Sequence, residues 1–232
     1  MKRITAIISA FVLLISFAAC GAQSPVASET KKSETTSSII TDAPQTTLSP
    51  ETSSPNDEQS NVLVVYFSRT GEQYGVGNID EGNTAIVAKM IAGKTGADSF
   101  EILPETDYYP YTYKELTDVA KKEQNDKARP AIKDALPDLS GYETVFIGAP
   151  VWWGDWPMIM YTFFEGADLS GKKLIPFSTH EGSGLAGFDK KLASAAPDAR
   201  VLTGLAIRGA DCQNNRESVN TKVTDWLNGL GY

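Results

Sequence analysis

Apolar runs and helical patterns alternate along this chain from Val62 onward. Runs at 62–67, 98–103, 143–149, 173–179 and 200–207 read as strands. A short apolar run without alternation fits a strand buried on both faces. Between these runs, Thr84–Lys94 carries Ile86, Val87, Met90 and Ile91 at helical spacing. Val219, Val223, Trp226, Leu227 and Leu230 mark an amphipathic closing helix. Helices are also predicted over 113–125 and 158–165, with a shorter one over 187–195. Strands interleaved with helices make βαβ units, so the expected class is α/β, a doubly wound, five-stranded parallel sheet. One element fits poorly. Pro176 lies inside the fourth run, and proline cannot donate to a sheet ladder. Either that strand is bulged there, or the proline nitrogen faces a position without a pairing acceptor.

Ahead of Val62 the pattern changes. Met1-Lys2-Arg3 is basic, Ile4–Ala19 is mostly apolar, and Ala18-Ala19 precede Cys20. That is the layout of a secretory signal peptide, too short and wrongly flanked for a good spanning helix. The Phe-Ala-Ala-Cys-Gly end at residues 17–21 resembles the bacterial lipobox, in which the cysteine is lipid-modified and becomes the new N-terminus. Phe17 stands where that motif usually has leucine; ordinary cleavage near Ala19 or an uncleaved anchor are the alternatives. Residues 1–20 are therefore expected to be a lipoprotein-type signal peptide with Cys20 as the lipidation site. Residues 21–60 cluster Ser, Thr, Pro and Glu around sparse apolar residues such as Ile39 and Ile40. Such a stretch cannot bury enough surface to offset its ordering entropy, and it reads as a disordered tether. Residues 61–232 remain as one folded domain with room for a sizeable core.

Composition narrows the chemistry. Cys20 and Cys212 are the only cysteines, so once Cys20 is committed to processing, Cys212 has no intrachain partner and reads as passive. One histidine and one cysteine in the domain make zinc-type clusters implausible. The net charge of −8 and a pI near 4.8, with no basic stripe, argue against a nucleic-acid partner. An acidic surface is consistent with solubility or with meeting a basic partner.

The candidate chemistry lies where the strand runs end, because ligands of open α/β sheets sit at the carboxyl ends of the strands. The first run stops in Ser68-Arg69-Thr70-Gly71, and a helix opens at Gly82-Asn83-Thr84 with Asn83 placed as an N-cap. Hydroxyls and free N–H groups at a helix N-terminus suit a phosphate, so Ser68, Thr70, Gly71, Asn83 and Thr84 are candidates. An ordinary strand-to-loop exit would look the same from this segment alone. The second loop, Pro150-Val151-Trp152-Trp153-Gly154-Asp155-Trp156, offers flat rings for stacking on an aromatic ligand. Such rings also serve to cap a core or meet a partner, and Trp156, at the helix start, is expected to do so. The third loop, Thr179-His180-Glu181-Gly182-Ser183-Gly184, carries the only histidine.

In this order and spacing, the Tyr-Phe-Ser start, Ala149-Pro150-Val151-Trp152-Trp153-Gly154, the Thr-His-x-Gly-Ser-Gly loop, Ala128-Arg129-Pro130 and Arg208-Gly209 resemble one branch of the bacterial flavodoxin-like proteins. The resemblance spans Val62 to Tyr232. It implies a sheet of strand order 2-1-3-4-5 that binds FMN, flavodoxin being itself one of the folds from which the strand-end rule is drawn. By the same resemblance the first loop holds the FMN phosphate, while the second and third flank the ring system. One departure is clear: many relatives run directly into Gly-Asn-Thr, whereas here Glu72–Asp80 intervenes. The expected function is electron transfer by a membrane-tethered FMN protein, lipid-anchored at the outer face of the bacterial cell membrane, with redox proteins or a small acceptor as partners. The alternatives are an FMN-dependent reductase of a small acceptor such as a quinone, and a binding module that has lost flavin. Asp155 and Glu181 are candidates for lowering the flavin potential, and a cationic His180 would raise it.

Overall fold

Strand β1 (Val62–Phe67) is buried along its whole length, and its alternate residues serve two different cores. Leu63, Val65 and Phe67 join one hydrophobic cluster; Val62, Val64 and Tyr66 join another. That is why the run has no polar face: helices cover the sheet on both sides. The computed structural model describes residues 60–232. The expected signal peptide, Cys20 and all of the tether except Ser60 lie outside the described residues.

After β1 come β2 (Gly71–Gln73), β3 (Gly77–Ile79), α1 (Asn83–Thr95), β4 (Asp98–Ile102), α2 (Tyr113–Asp126), β5 (Thr144–Pro150) and α3 (Met158–Gly166). They are followed by β6 (Lys173–His180), α4 (Phe188–Ala195), β7 (Arg200–Val201), β8 (Leu205–Arg208), α5 (Gly209–Asn214) and α6 (Arg216–Leu230). The main sheet runs β4-β1-β5-β6-β7, with β8 also on β6, and every pairing in it is parallel. With β7 and β8 as two halves of one strand, this is the 2-1-3-4-5 order. The cluster below Phe67 draws Ile159, Met160 and Phe163 from α3 and Phe188 and Leu192 from α4. The opposite cluster draws Ile86, Val87 and Ile91 from α1 and Val219, Val223 and Leu227 from α6. Cys212 is sealed in that second cluster, where burial pushes its thiol up to about 12, so it is passive.

The fifth strand, expected as one run over 200–207, is broken, and Pro176 is the reason. On its β5 side β6 is continuous, with Ile147 opposite Pro176. On the other side Leu202 N–H donates to Leu174 O at 2.9 Å, after which the next donor due from β6 is the nitrogen of Pro176, which carries no hydrogen. The partner leaves the ladder over 202–204 and resumes with Leu205 opposite Phe177. The strand is not bulged; its neighbour is interrupted. A tight spot between β5 and β6 has a glycine: a Cβ on Gly148 would lie 2.0 Å from the Phe177 ring.

The segment Glu72–Asp80, read from sequence as a bulging insertion, is an antiparallel hairpin, with Gly71 opposite Ile79 and Gln73 opposite Gly77. It is fastened to the segment before α2. Arg69 donates to the carbonyls of Glu72, Pro110 and Tyr111, and Glu72 N–H donates to Tyr111 O at 3.0 Å. The Glu72 carboxylate accepts from Tyr113 N–H at 2.7 Å, which satisfies one of the free donors at the start of α2.

Candidate functional site

A cavity of about 540 Å³ opens over the carboxyl ends of β1, β5 and β6. Its volume is that of a small-molecule or cofactor site. Of the residues expected at the site, Ser68, Asn83, Thr84, Pro150, Val151, Trp152, Trp153, Thr179, His180, Gly182 and Ser183 all line it. Three loops distant in sequence therefore meet at one place.

At one end the first turn of α1 is prepared for an anion. The helix starts at Asn83 itself, with Gly82 in the N-cap position and no side-chain cap, so Asn83 is not the cap expected from sequence. Its Oδ1 instead accepts from Gln213 Nε2 at 2.7 Å, which orients its amide. Ser68 Oγ accepts from Ala85 N–H at 3.0 Å, leaving its own hydrogen to donate. Thr84 and Thr179 share one hydrogen bond of 2.8 Å, so one of their two hydroxyl hydrogens is spare. No acidic residue stands in the first turn of α1. Glu81, just before it, is held by Lys89 at 2.7 Å and Arg216 at 2.8 Å, which keep its carboxyl below its ordinary range. The N–H groups of Asn83 and Thr84, which have no side-chain cap, and the spare hydroxyls beside them fit a phosphate.

The second loop is a two-residue turn. Trp152 and Asp155 exchange backbone hydrogen bonds of 2.9 and 3.0 Å, and the residues between them are left-handed, Trp153 at φ 51° and Gly154 at φ 72°. Glycine takes that conformation freely; tryptophan does not. Trp153 is held there by its indole N–H, which donates to Thr117 O at 2.9 Å, and by Lys121, whose ammonium lies 5.0 Å from the ring centroid. Strained residues of this kind concentrate at functional sites. Trp152 is built differently, edge-on to Phe67 at 5.4 Å and to Tyr109 at 5.0 Å, as a wall continuous with the core. Trp156 is 1 % exposed and stacks on Phe188 at 3.6 Å, so it caps the core, as expected.

In the third loop, His180 Nδ1 accepts from Gly182 N–H at 2.9 Å. Burial, offset only in part by Glu181, holds the imidazole below its ordinary 6.5. A neutral His180 with Nε2–H as its donor follows. Glu181 is already committed: it accepts from Arg208 Nε at 2.9 Å and from Ala210 N–H at 2.6 Å. Asp155 is likewise bound to Lys191 at 3.1 Å and to the Tyr161 hydroxyl at 2.9 Å.

Four expected residues do not line the cavity. Thr70 is exposed where the chain turns into the hairpin, and Gly71 packs against Tyr111, 3.0 Å from where a Cβ would stand. The Gly154 carbonyl accepts from Lys191 Nζ at 2.6 Å, and the Gly184 carbonyl from Ser178 Oγ at 3.0 Å. Conversely, the wall made by Arg69, Gln73 and Tyr74 of the first loop and by Tyr113, Leu116, Thr117 and Ala120 of α2 was not foreseen, nor was the place of Gly209. The tyrosine-rich stretch Tyr108–Tyr113, directly before a helix, was the available signal.

Known proteins agree with this architecture. No curated protein matches the chain. Among solved structures, a protein assigned as a flavoprotein from Bacteroides uniformis is 31% identical, over 70% of this chain and 97% of its own, with a TM-score of 0.57. A second such protein, from Bacteroides eggerthii, is 30% identical over 74% of this chain and 98% of its own, with a TM-score of 0.56. A Lactobacillus acidophilus flavoprotein solved with FMN shares the fold at 21% identity, over 68% of this chain and 97% of its own, with a TM-score of 0.50. The family model described as flavodoxin matches residues 61–229, and the chain belongs to the flavodoxin family.

Proposed function

We infer that the domain binds FMN in the strand-end cavity and works as an electron-transfer protein. The observation that carries this reading is the meeting of an anion-ready helix start with tryptophan- and glycine-containing loops in one cavity of about 540 Å³. Membership of the flavodoxin family supports it, as does the FMN held by the Lactobacillus acidophilus protein of the same fold. Ser68, Asn83, Thr84 and the first N–H groups of α1 hold the phosphate. The second and third loops flank the ring system, with Trp152 as a wall that excludes water. Bound FMN supplies reversible electron transfer, and the protein sets its potential and its access.

His180, neutral and with its Nδ1 occupied, serves as a hydrogen-bond donor rather than as a charge. Glu181 and Asp155, each tied to a cation, exert less field on the cofactor than free carboxylates would. Lipidation at Cys20 and a tether over 21–60 hold the domain at the outer face of the membrane. A Cys20→Ser chain is expected to lose lipid labelling, and unchanged labelling would refute that part.

The cofactor is tested by mixing the protein with FMN, desalting, and recording the visible spectrum. Retained bands near ~370 and ~450 nm with quenched fluorescence are expected. A colourless protein would refute FMN binding and leave a binding module.

A further inference from the structure

Gln213 of α5 lies 130 positions from Asn83 in sequence, yet its side chain reaches the start of α1 twice. Its Nε2 donates to Glu81 O at 2.9 Å and to Asn83 Oδ1 at 2.7 Å. The first bond decides the second. A backbone carbonyl only accepts, so the part of the Gln213 amide that faces Glu81 O is its NH2 and not its oxygen. The same NH2 gives its second hydrogen to Asn83, so the Asn83 atom that meets it is the oxygen. The Asn83 NH2 is thereby turned the other way, beside Gly209, where a Cβ would stand 2.5 Å from Nδ2. Asn83 and Gly209 both line the cavity, and Nδ2 donates to no protein group among the described residues.

This relay has a firm base. Lys89 and Arg216 hold the Glu81 carboxylate, which fixes the residue whose carbonyl sets the direction. Ala210 N–H donates to Glu181 Oε1 at 2.6 Å, which anchors the start of α5 to the third loop. Gly209 leaves the Asn83 amide the space it needs, since a Cβ there would also lie 2.9 Å from Glu181 Oε1. Asn83 is left with one direction of its amide, its two N–H hydrogens on the free side. That direction matters to some ligands and not to others. A primary hydroxyl donates and accepts, so it can bond either face of an amide. A phosphate ester brings charged acceptors, which gain from the donor face and are repelled by the oxygen.

We propose that Gln213 is a positioning residue that makes the cavity selective for FMN over riboflavin, by locking the Asn83 amide with its donor face to the phosphate. Gln213 does not line the cavity and acts through Asn83. The inference rests on the FMN reading and names what sets its preference for the phosphorylated flavin.

The test titrates the full-length protein with FMN and with riboflavin, each followed by quenching of flavin fluorescence. Wild type is expected to bind FMN the more tightly. Gln213→Met keeps the length of the side chain without its donor, and it is expected to weaken FMN about tenfold and riboflavin less than about twofold. Asn83→Ala is expected to give the same pattern, and adding Gln213→Met to it is expected to cost no further FMN affinity. Gln213→Glu is a second variant of the same length. Its carboxylate only accepts, so it draws Nδ2 of Asn83 toward itself, and FMN is expected to weaken at least as much as in Gln213→Met, with riboflavin again spared. Equal affinity of wild type for the two flavins would overturn the positioning role and leave flavin binding standing. So would variants at 213 that weaken both flavins alike or neither, or a full additional loss in the Asn83→Ala background. A wild type that binds neither flavin would overturn the FMN reading, and the role of Gln213 with it.

Discussion

Glu123 is a carboxyl on the buried stripe of α2, 3 % exposed, and replacing it by glutamine is expected to remove one loss of stability that sets in between pH 5 and pH 8. Its Oε1 has no partner, and its Oε2 accepts a long hydrogen bond, 3.4 Å, from the Tyr109 hydroxyl. Burial pushes the carboxyl up from 4.5 to about 7, while the Tyr108 and Tyr109 hydroxyls pull it partly back. A folded value above the unfolded one means that the native state holds the proton more tightly. The stabilisation is therefore full below pH 4.5 and is lost as pH rises through about 7. At 1.36 kcal/mol per pH unit this is on the order of 3 kcal/mol. Glutamine keeps the shape and an acceptor for Tyr109, and it does not ionise. Urea unfolding at pH 5 and pH 8 measures the effect, and the difference between wild type and Glu123→Gln cancels the other titrating groups, His180 and Glu101 among them. Wild type is expected to lose on the order of 2 to 3 kcal/mol relative to the variant over that interval. Equal losses in both proteins would refute the reasoning.

Three shorter predictions follow from the site and the sheet. The single histidine allows a one-residue titration by NMR: His180 is expected to protonate below pH 6.5, and a midpoint above 6.5 would refute the neutral assignment. Because its folded value is depressed, stability is present above pH 6.5 and declines as pH falls through the folded midpoint. Ser68→Ala removes the acceptor for Ala85 N–H and is expected to cost about 1 kcal/mol in thermal or urea unfolding and to weaken FMN retention. Gly148→Ala forces a methyl onto the Phe177 ring and is expected to destabilise by about 1–3 kcal/mol or more; an unchanged urea midpoint would show that β5 and β6 can separate.

The main fold was legible because burial on both faces writes itself into the sequence as unbroken apolar runs. Val62–Phe67 and Thr144–Pro150 are covered by helices above and below, and nothing in them alternates. Elements built mainly of backbone pairing left no such mark. The β2–β3 hairpin has three-residue strands of Gly, Glu, Gln, Asn and Ile, too short for a periodicity to show. The six-residue α5 is equally short. Pro176 was visible as a conflict, but proline alone does not say which neighbour is disrupted. That depends on which edge of β6 its missing hydrogen faces, a fact of register rather than of composition.

The site divides along the same line. Residues at the ends of buried strands could be named from sequence because the sheet itself delivers them: Ser68 directly follows β1, Pro150 closes β5, and Thr179 and His180 close β6. The α2 wall could not, since contact between Tyr113 or Thr117 and the cavity depends on how a helix packs beside the loops, not on where a strand stops. Yet α2 did carry a warning. Leu116, Ala120 and Glu123 share its buried stripe at i, i+4 and i+7, and a carboxylate on an apolar stripe is a cost that a purely structural helix would avoid. Leucine or methionine there would pack with less penalty. The hydroxyl partner of Glu123, Tyr109, packs together with Trp152 against the core, so the carboxyl sits where the core meets the cavity wall. The same stripe of α2 thus lines the cavity with Leu116 and Ala120 on its first turns and buries a carboxyl, Glu123, on its third.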